Sequence, residues 1–180
     1  MSLILRTDCV GLDCAIDRVQ KKLYNRLNPV WGGVWDSFPR IYKNKRVDEK
    51  DREYFVPEYL DGLKEYTTDT LFNDKVDVTS FFLEGDSSSV DDLIIESDVS
   101  IIFSCQIDKI YSGNDKKDMK MRGDIFDVIK AFPSTWELDN IHTGVNDVYR
   151  EFKKDWLNYS DMSERHLLRF DFKVKYNFNC

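Results

Sequence analysis

Leu168-Arg-Phe-Asp-Phe-Lys-Val-Lys-Tyr-Asn-Phe178 decides the fold. Leu168, Phe170, Phe172, Val174, Tyr176 and Phe178 alternate without a break with Arg169, Asp171, Lys173, Lys175 and Asn177, and a period of two belongs to a strand with one dry face and one charged face. A lone strand leaves its backbone donors and acceptors unpaired, so this segment must join a sheet formed by earlier parts of the chain, in a central place. One partner is legible at Val99, Ile101, Phe103, Cys105 and Ile107, which alternate with Ser100, Ser104 and Gln106 and are interrupted only by Ile102. Another strand opens at Val76 and Val78, and its inner register continues through Ser80 to Phe82. Phe81 and Leu83 then lie on the opposite face, where Phe81 is a candidate contact residue; a bulge at Ser80 is the alternative, turning both inward and exposing Phe82.

Outward from these strands, Leu12, Ala15, Ile16, Val19, Leu23 and Leu27 follow the 3.6-residue period of an amphipathic helix. Asp13 is placed to cap it, and Asn28-Pro29 to end it. Trp31-Gly-Gly-Val-Trp35 reads as an aromatic turn, with Trp31 and Trp35 the most exposed of the four tryptophans. Phe38 to Tyr42 reads as a short strand. The mixed charges of 43–52 read as an exposed loop, and Pro57 places 53–60 at a sheet edge or in an extended arm. Residues 84–98 have the composition of a second loop except for Leu93-Ile94-Ile95, an anchor beneath that loop or a docking spot. Helices are expected over Gly123–Phe132 and Gly144–Leu157. The order predicts one α+β domain over 1–180: an N-terminal helix, an antiparallel sheet with long loops, two further helices and a closing C-terminal strand.

Composition narrows the function. Hydrophobic residues make up 42% of the chain, aromatic residues 14% and charged residues 33%, which describes a folded chain of 180 residues with an aromatic core. The net charge of −7 disfavours phosphate backbones and anionic lipid, so neither sequence-specific nucleic-acid binding nor a membrane role is expected. No stretch approaches the roughly 20 apolar residues of a membrane span. Cys9, Cys14, Cys105 and Cys180 are scattered and read as free thiols, and with His142 and His166 the only histidines, no zinc site and no cofactor are expected. Asp91-Asp92 and the acidic residues of the two charge-rich segments 43–52 and 84–98 lie where nothing supplies the rigidity that acid–base catalysis needs. Cys105 and His166 form a nucleophile pair only if their segments adjoin, and Cys105 lies on the apolar register of its strand. Arg122-Gly-Asp124 opens a helix and carries no assigned role. The chain reads as non-enzymatic, with Trp31, Trp35, Phe81, Leu93, Ile94 and Ile95 as candidate partner-binding residues.

The layout resembles a known group. A helix ending Leu23-Tyr-Asn-Arg-Leu27, a short segment to Phe38-Pro39-Arg40, strands with long loops, helices and a closing alternating strand from Leu168 to Tyr176 are similar in order and character to the tail-terminator and tail-completion proteins of tailed bacteriophages. Pro39-Arg-Ile-Tyr-Lys43 and Ser80-Phe-Phe82 also look similar to ring proteins in the neck of crAss-like phages. The resemblance implies a virion structural protein made in the host cytoplasm, a homo-oligomeric ring of six or twelve copies at the head–tail connector or tail. Such a ring contacts other neck, portal or tail proteins, seals the junction and lets DNA pass during ejection. The segments 43–52 and 84–98 are longer than a minimal terminator needs. The alternative is a monomeric protein-binding adaptor or immunity-type module gripping one partner through Trp31, Trp35 and residues 84–98.

Overall fold

The structure, a computed structural model, describes residues 2–5, 9–33, 35–60, 66–67, 75–91, 93–113, 116–152 and 165–179. In chain order its elements are β1 (Ser2–Leu3), α1 (Leu12–Trp31), β2 (Trp35–Val47), β3 (Glu53–Leu60), β4 (Tyr66–Thr67), β5 (Val78–Asp91) and β6 (Ile94–Cys105). There follow α2 (Ile107–Ile110), α3 (Lys117–Ile129), β7 (Trp136–Thr143), α4 (Val145–Val148) and β8 (His166–Tyr176). The strands form one sheet in the order β4-β3-β2-β5-β6-β8-β7, with β1 beside β2. The class is α+β, and the sheet is mixed because β2 runs parallel to both β5 and β1.

The alternating segment lies inside the sheet. β8 pairs with β6 from Ile95↔Tyr176 to Cys105↔His166 on one side and with β7 on the other. Its even-numbered residues Leu168, Phe170, Phe172 and Val174 are buried beneath α1 and α3, where they meet Ile16, Val19, Leu23 and Leu27 of α1 and Ile125 of α3. Burial of that apolar stripe, at about 25 cal/mol per Å² removed from water, fastens the helices to the sheet.

The other face is covered too. Phe81, Leu83, Ile102 and Leu167, all off the main register, join Phe38, Ile41, Tyr59, Val148, Tyr149 and Phe152 in a second apolar cluster. The expected contact role of Phe81 is thereby corrected: Phe81 and Leu83 are core residues of a sheet packed on both sides. No bulge is needed to bury Phe81, since β5 pairs residue by residue with β6 from Val78↔Cys105 to Leu83↔Ser100. The irregularity sits instead in β2, between Ser37 and Arg40, around Pro39.

Other expectations are adjusted. α1 continues through Pro29 to Trp31. An interior proline costs about 3 kcal/mol, whereas sealing an indole of about 150–250 Å² is favourable by roughly 4–6 kcal/mol, so the last turn forms and carries Trp31 into the core. Gly11 precedes the helix, and Asp13 lies within its first turn, where its carboxylate accepts from Arg40 Nε at 2.8 Å and favours the N-terminal dipole. α3 starts at Lys117, ahead of the expected Gly123, and α4 ends at Val148; 153–157 of the expected helix lie outside the described residues. Cys14 is disulfide-bonded, which corrects its reading as a free thiol, whereas Cys9 and Cys105 take part in no disulfide.

Both expected loops are largely hairpins. β2 hydrogen-bonds β5 only as far as Ile41↔Leu83, then diverges and pairs through Tyr42–Val47 with Glu53–Glu58 of β3. Only 48–52 remain as a turn, closed by Asp48 accepting from the backbone N–H groups of Lys50 and Arg52. β5 continues to Asp91 against β6 alone. The backbone ladder forms there despite the Ser and Asp composition because β6 is itself held by β8 up to Ile95↔Tyr176.

Candidate functional site

Two hairpin arms therefore splay apart beyond the Ile41/Leu83 pair. The β5–β6 arm carries the apolar triplet singled out in the sequence. At its tip Leu93 is 77% exposed and Ile94 is exposed as well, while Ile95 is partly covered and pairs with Tyr176. Phe178, just past β8, is 63% exposed and packs edge-on against Tyr176, with ring centroids 6.2 Å apart. Between them lies an open groove of about 470 Å³ lined by Ser87, Ser89, Leu93, Ile95, Asn177 and Phe178. The groove floor is braced by Ser87 and Ser97, whose hydroxyls are 2.7 Å apart, and by Ser97 donating to the Tyr176 hydroxyl at 3.2 Å. From Gly85 to Asp91 every residue of β5 is exposed, and among the described residues no strand pairs with that side of β5. An open edge with apolar side chains beside it is a surface suited to another chain.

Trp31 and Trp35 do not belong to this surface, and their expected exposure is corrected. Both are buried and stacked, with ring centroids 5.5 Å apart, and each indole N–H is satisfied. Trp31 Nε1 donates to Asp124 Oδ2 at 3.0 Å, an oxygen that also accepts from the Tyr111 hydroxyl. Burial and that carboxylate push the Tyr111 phenol well above its ordinary value. Trp35 Nε1 donates to Ser80 Oγ at 3.1 Å, and Ser80 in turn donates to Ser37 Oγ. The turn reads as exposed from its glycines, but α1 and β2 fold its two ends together so that both rings face the sheet. Trp35→Phe removes one buried donor and is expected to lower stability by about 1–3 kcal/mol. Thermal melts measure the change, and a variant that melts with the parent would show that the indole N–H contributes nothing.

Sequence reasoning missed a charged network on the second face of the sheet. Arg169 donates to Asp171 Oδ1 at 2.6 Å and to Glu151 Oε2 at 2.5 Å. Ser100 donates to Asp171 Oδ1 at 2.7 Å, Arg150 donates to Asp171 Oδ2 at 3.0 Å, and His142 Nε2 lies 3.0 Å from the same oxygen. Burial would raise the Asp171 carboxyl, but hydrogen bonds from Arg169 and Ser100 and the charges of Arg169 and Arg150 hold it below its ordinary value. Glu151 is lowered in the same way against burial, by Arg169. A general acid or base works best near the ambient pH, and these carboxylates are driven away from it. The arrangement ties β7, β8 and the segment after α4 together. Its only signal in the sequence is Arg169 and Asp171 on one face of a long interior strand, where charge needs partners.

Cys105 and His166 do adjoin, as opposed residues of β6 and β8. Burial pushes the Cys105 thiol far up, leaving it protonated, and lowers His166, assisted by the Arg122 charge. A protonated thiol in an apolar setting is a poor nucleophile. Among the described residues no group of three or more His, Cys, Asp or Glu side chains is placed to hold a metal ion, and no helix is long and apolar enough to cross a membrane. The chain matches no protein-family model, no curated protein sequence and no solved structure.

Proposed function

We propose that this protein is a virion structural component that assembles with copies of itself into a ring at the head–tail connector or tail of a bacteriophage, and that it performs no chemistry there. The observation that carries the proposal is the β5–β6 arm. A chain that already buries apolar residues on both faces of its sheet still presents Leu93, Ile94 and Phe178 to solvent beside a strand edge that no strand among the described residues pairs with. Large apolar side chains grouped at an arm tip do nothing for a monomer's stability and are the ordinary mark of an interface. The net charge of −7 supports the reading, because a lumen that lets DNA slide must not bind its phosphates. The likeness in element order to tail-terminator and neck ring proteins supplies the location, which includes contacts with neighbouring portal, neck or tail proteins.

Negative-stain electron microscopy of the purified chain tests the closed geometry. Annular particles with six or twelve repeats are expected. Open filaments or featureless single chains would remove the ring, and single chains would select the monomeric adaptor, gripping one partner through the same arm tip.

A further inference from the structure

We infer that Cys14 and Cys180 form a redox clasp that holds the residues after β8 against the start of α1, and with them one wall of the groove at the β5–β6 arm tip. Four cysteines are present. Cys14 is disulfide-bonded and Cys9 and Cys105 take part in no disulfide, which leaves Cys180, a residue outside the described ones, as the partner of Cys14. The described neighbours of Cys180 lead to the same place. Asn179 and Cys14 line one open cleft of about 280 Å³, together with Gly11, Arg18 and Trp136. One residue earlier the Phe178 ring rests on Gly11, so closely that a Cβ on that glycine would meet it at 3.1 Å.

The clasped residues also shape the groove. Asn177, Phe178 and Asn179 line it with Ser87, Ser89 and Leu93. β8 and its ladder with β6 end at Tyr176, so the backbone pairing that holds the strand does not reach them. Packing of a ring that stays mostly exposed is a weak hold, because little apolar area leaves water. A covalent bond to a helix whose apolar stripe is buried in the core is a strong one.

The bridge is placed to open and close. Cys14 is half-buried and lines a cleft open to solvent, so a small thiol can reach its sulfur. It lies in the first turn of α1, and the positive end of a helix favours a thiolate, as does Arg18 one turn on in the same cleft. The Asp13 carboxylate of that turn is taken by Arg40. A sulfur that leaves readily as thiolate makes a disulfide readily reducible. Opening converts the Sγ–Sγ bond into two thiols as two molecules of reduced glutathione give up two electrons and two protons and become glutathione disulfide. Closing is the reverse, with glutathione disulfide as the oxidant. The clasp stands on the chain's own cysteines and holds whether or not copies assemble.

Peptide mapping of the unreduced protein tests the pairing. Cleavage before aspartates separates Cys9 from Cys14 at Asp13, and the peptide from Asp13 should appear linked to the one that ends in Cys180. A bridge through Cys9, or none after equilibration with glutathione disulfide, would overturn the assignment. Reduction of the parent by dithiothreitol should lower its melting temperature by about 5–15 °C, reversibly, since the bridge closes nearly the whole chain into one loop. Cys14→Ser and Cys180→Ser should melt with the reduced parent under both conditions. Amide hydrogen exchange over 177–179 should quicken about tenfold or more on reduction of the parent. Exchange and melting that do not respond to reduction would show that packing on Gly11 holds this segment, and would overturn the clasp.

Discussion

Phe172→Asp is expected to abolish soluble folded protein. Phe172 is buried in the middle of β8, opposed to Val99 on one side and Leu138 on the other. Its ring meets those of Trp136 and Phe132 at centroid distances of 5.4 and 5.7 Å. Deleting such a ring costs about 3–5 kcal/mol, and an unpaired carboxylate in its place adds a desolvation cost of several more. Total stabilities are about 5–15 kcal/mol, so the sum reaches the whole of it. Lys173→Ser, one position along and on the exposed side, should remain soluble and folded. Soluble yield and circular dichroism of the two variants decide the matter. A folded Phe172→Asp variant would show that the β8 register is wrong.

Arg169→Met should be the next most damaging substitution. The Arg169 side chain is almost fully buried and holds Asp171, Glu151 and the Val148 carbonyl. Without it two largely covered carboxylates keep their desolvation cost and lose their chief partner, and breaking a buried pair costs about 3–5 kcal/mol. Arg150 still reaches Asp171 and both carboxylates touch water, which places the expected loss at about 3 kcal/mol near neutral pH. The pH dependence has a definite sign. In the parent both carboxyls are held below their ordinary values of 3.8 and 4.5, so their contribution is fully present above those values and is lost as pH falls through the lower folded-state values. In the variant burial raises them, so protonation relieves the strain as the solution is acidified. The difference in melting temperature between parent and variant should shrink between pH 7 and pH 3; a difference that stays constant or widens would contradict the assigned role of Arg169.

What was legible and what was hidden follow from the physics of each segment. The strand at 168–176 and its partner at 99–105 announced themselves because a single apolar face repeats every second residue. The second apolar layer did not, since Phe81, Leu83, Ile102 and Leu167 sit inside short apolar runs (Phe81-Phe82-Leu83, Ile101-Ile102-Phe103, Leu167-Leu168) in which no alternation separates one face from the other, and only the topology shows that they share one face. Strand 84–91 was invisible because its Ser and Asp side chains have low β-propensity; its backbone ladder with β6, not its side chains, makes it a strand. Leu93-Ile94-Ile95 was legible by contrast with that background. Trp31 and Trp35 misled because glycines between them indicate a turn but say nothing about which way the rings point. The charged network joins Ser100, His142, Glu151 and Arg169, residues too far apart in sequence to form a pattern.

The mass of the native parent protein tests the central claim, that function resides in assembly. Sedimentation equilibrium across a wide concentration range should give a discrete multiple of the 21.3 kDa chain, six or twelve copies, that persists on dilution. A mass of one chain at every concentration, with the partner neck or tail proteins present as well as absent, would contradict it.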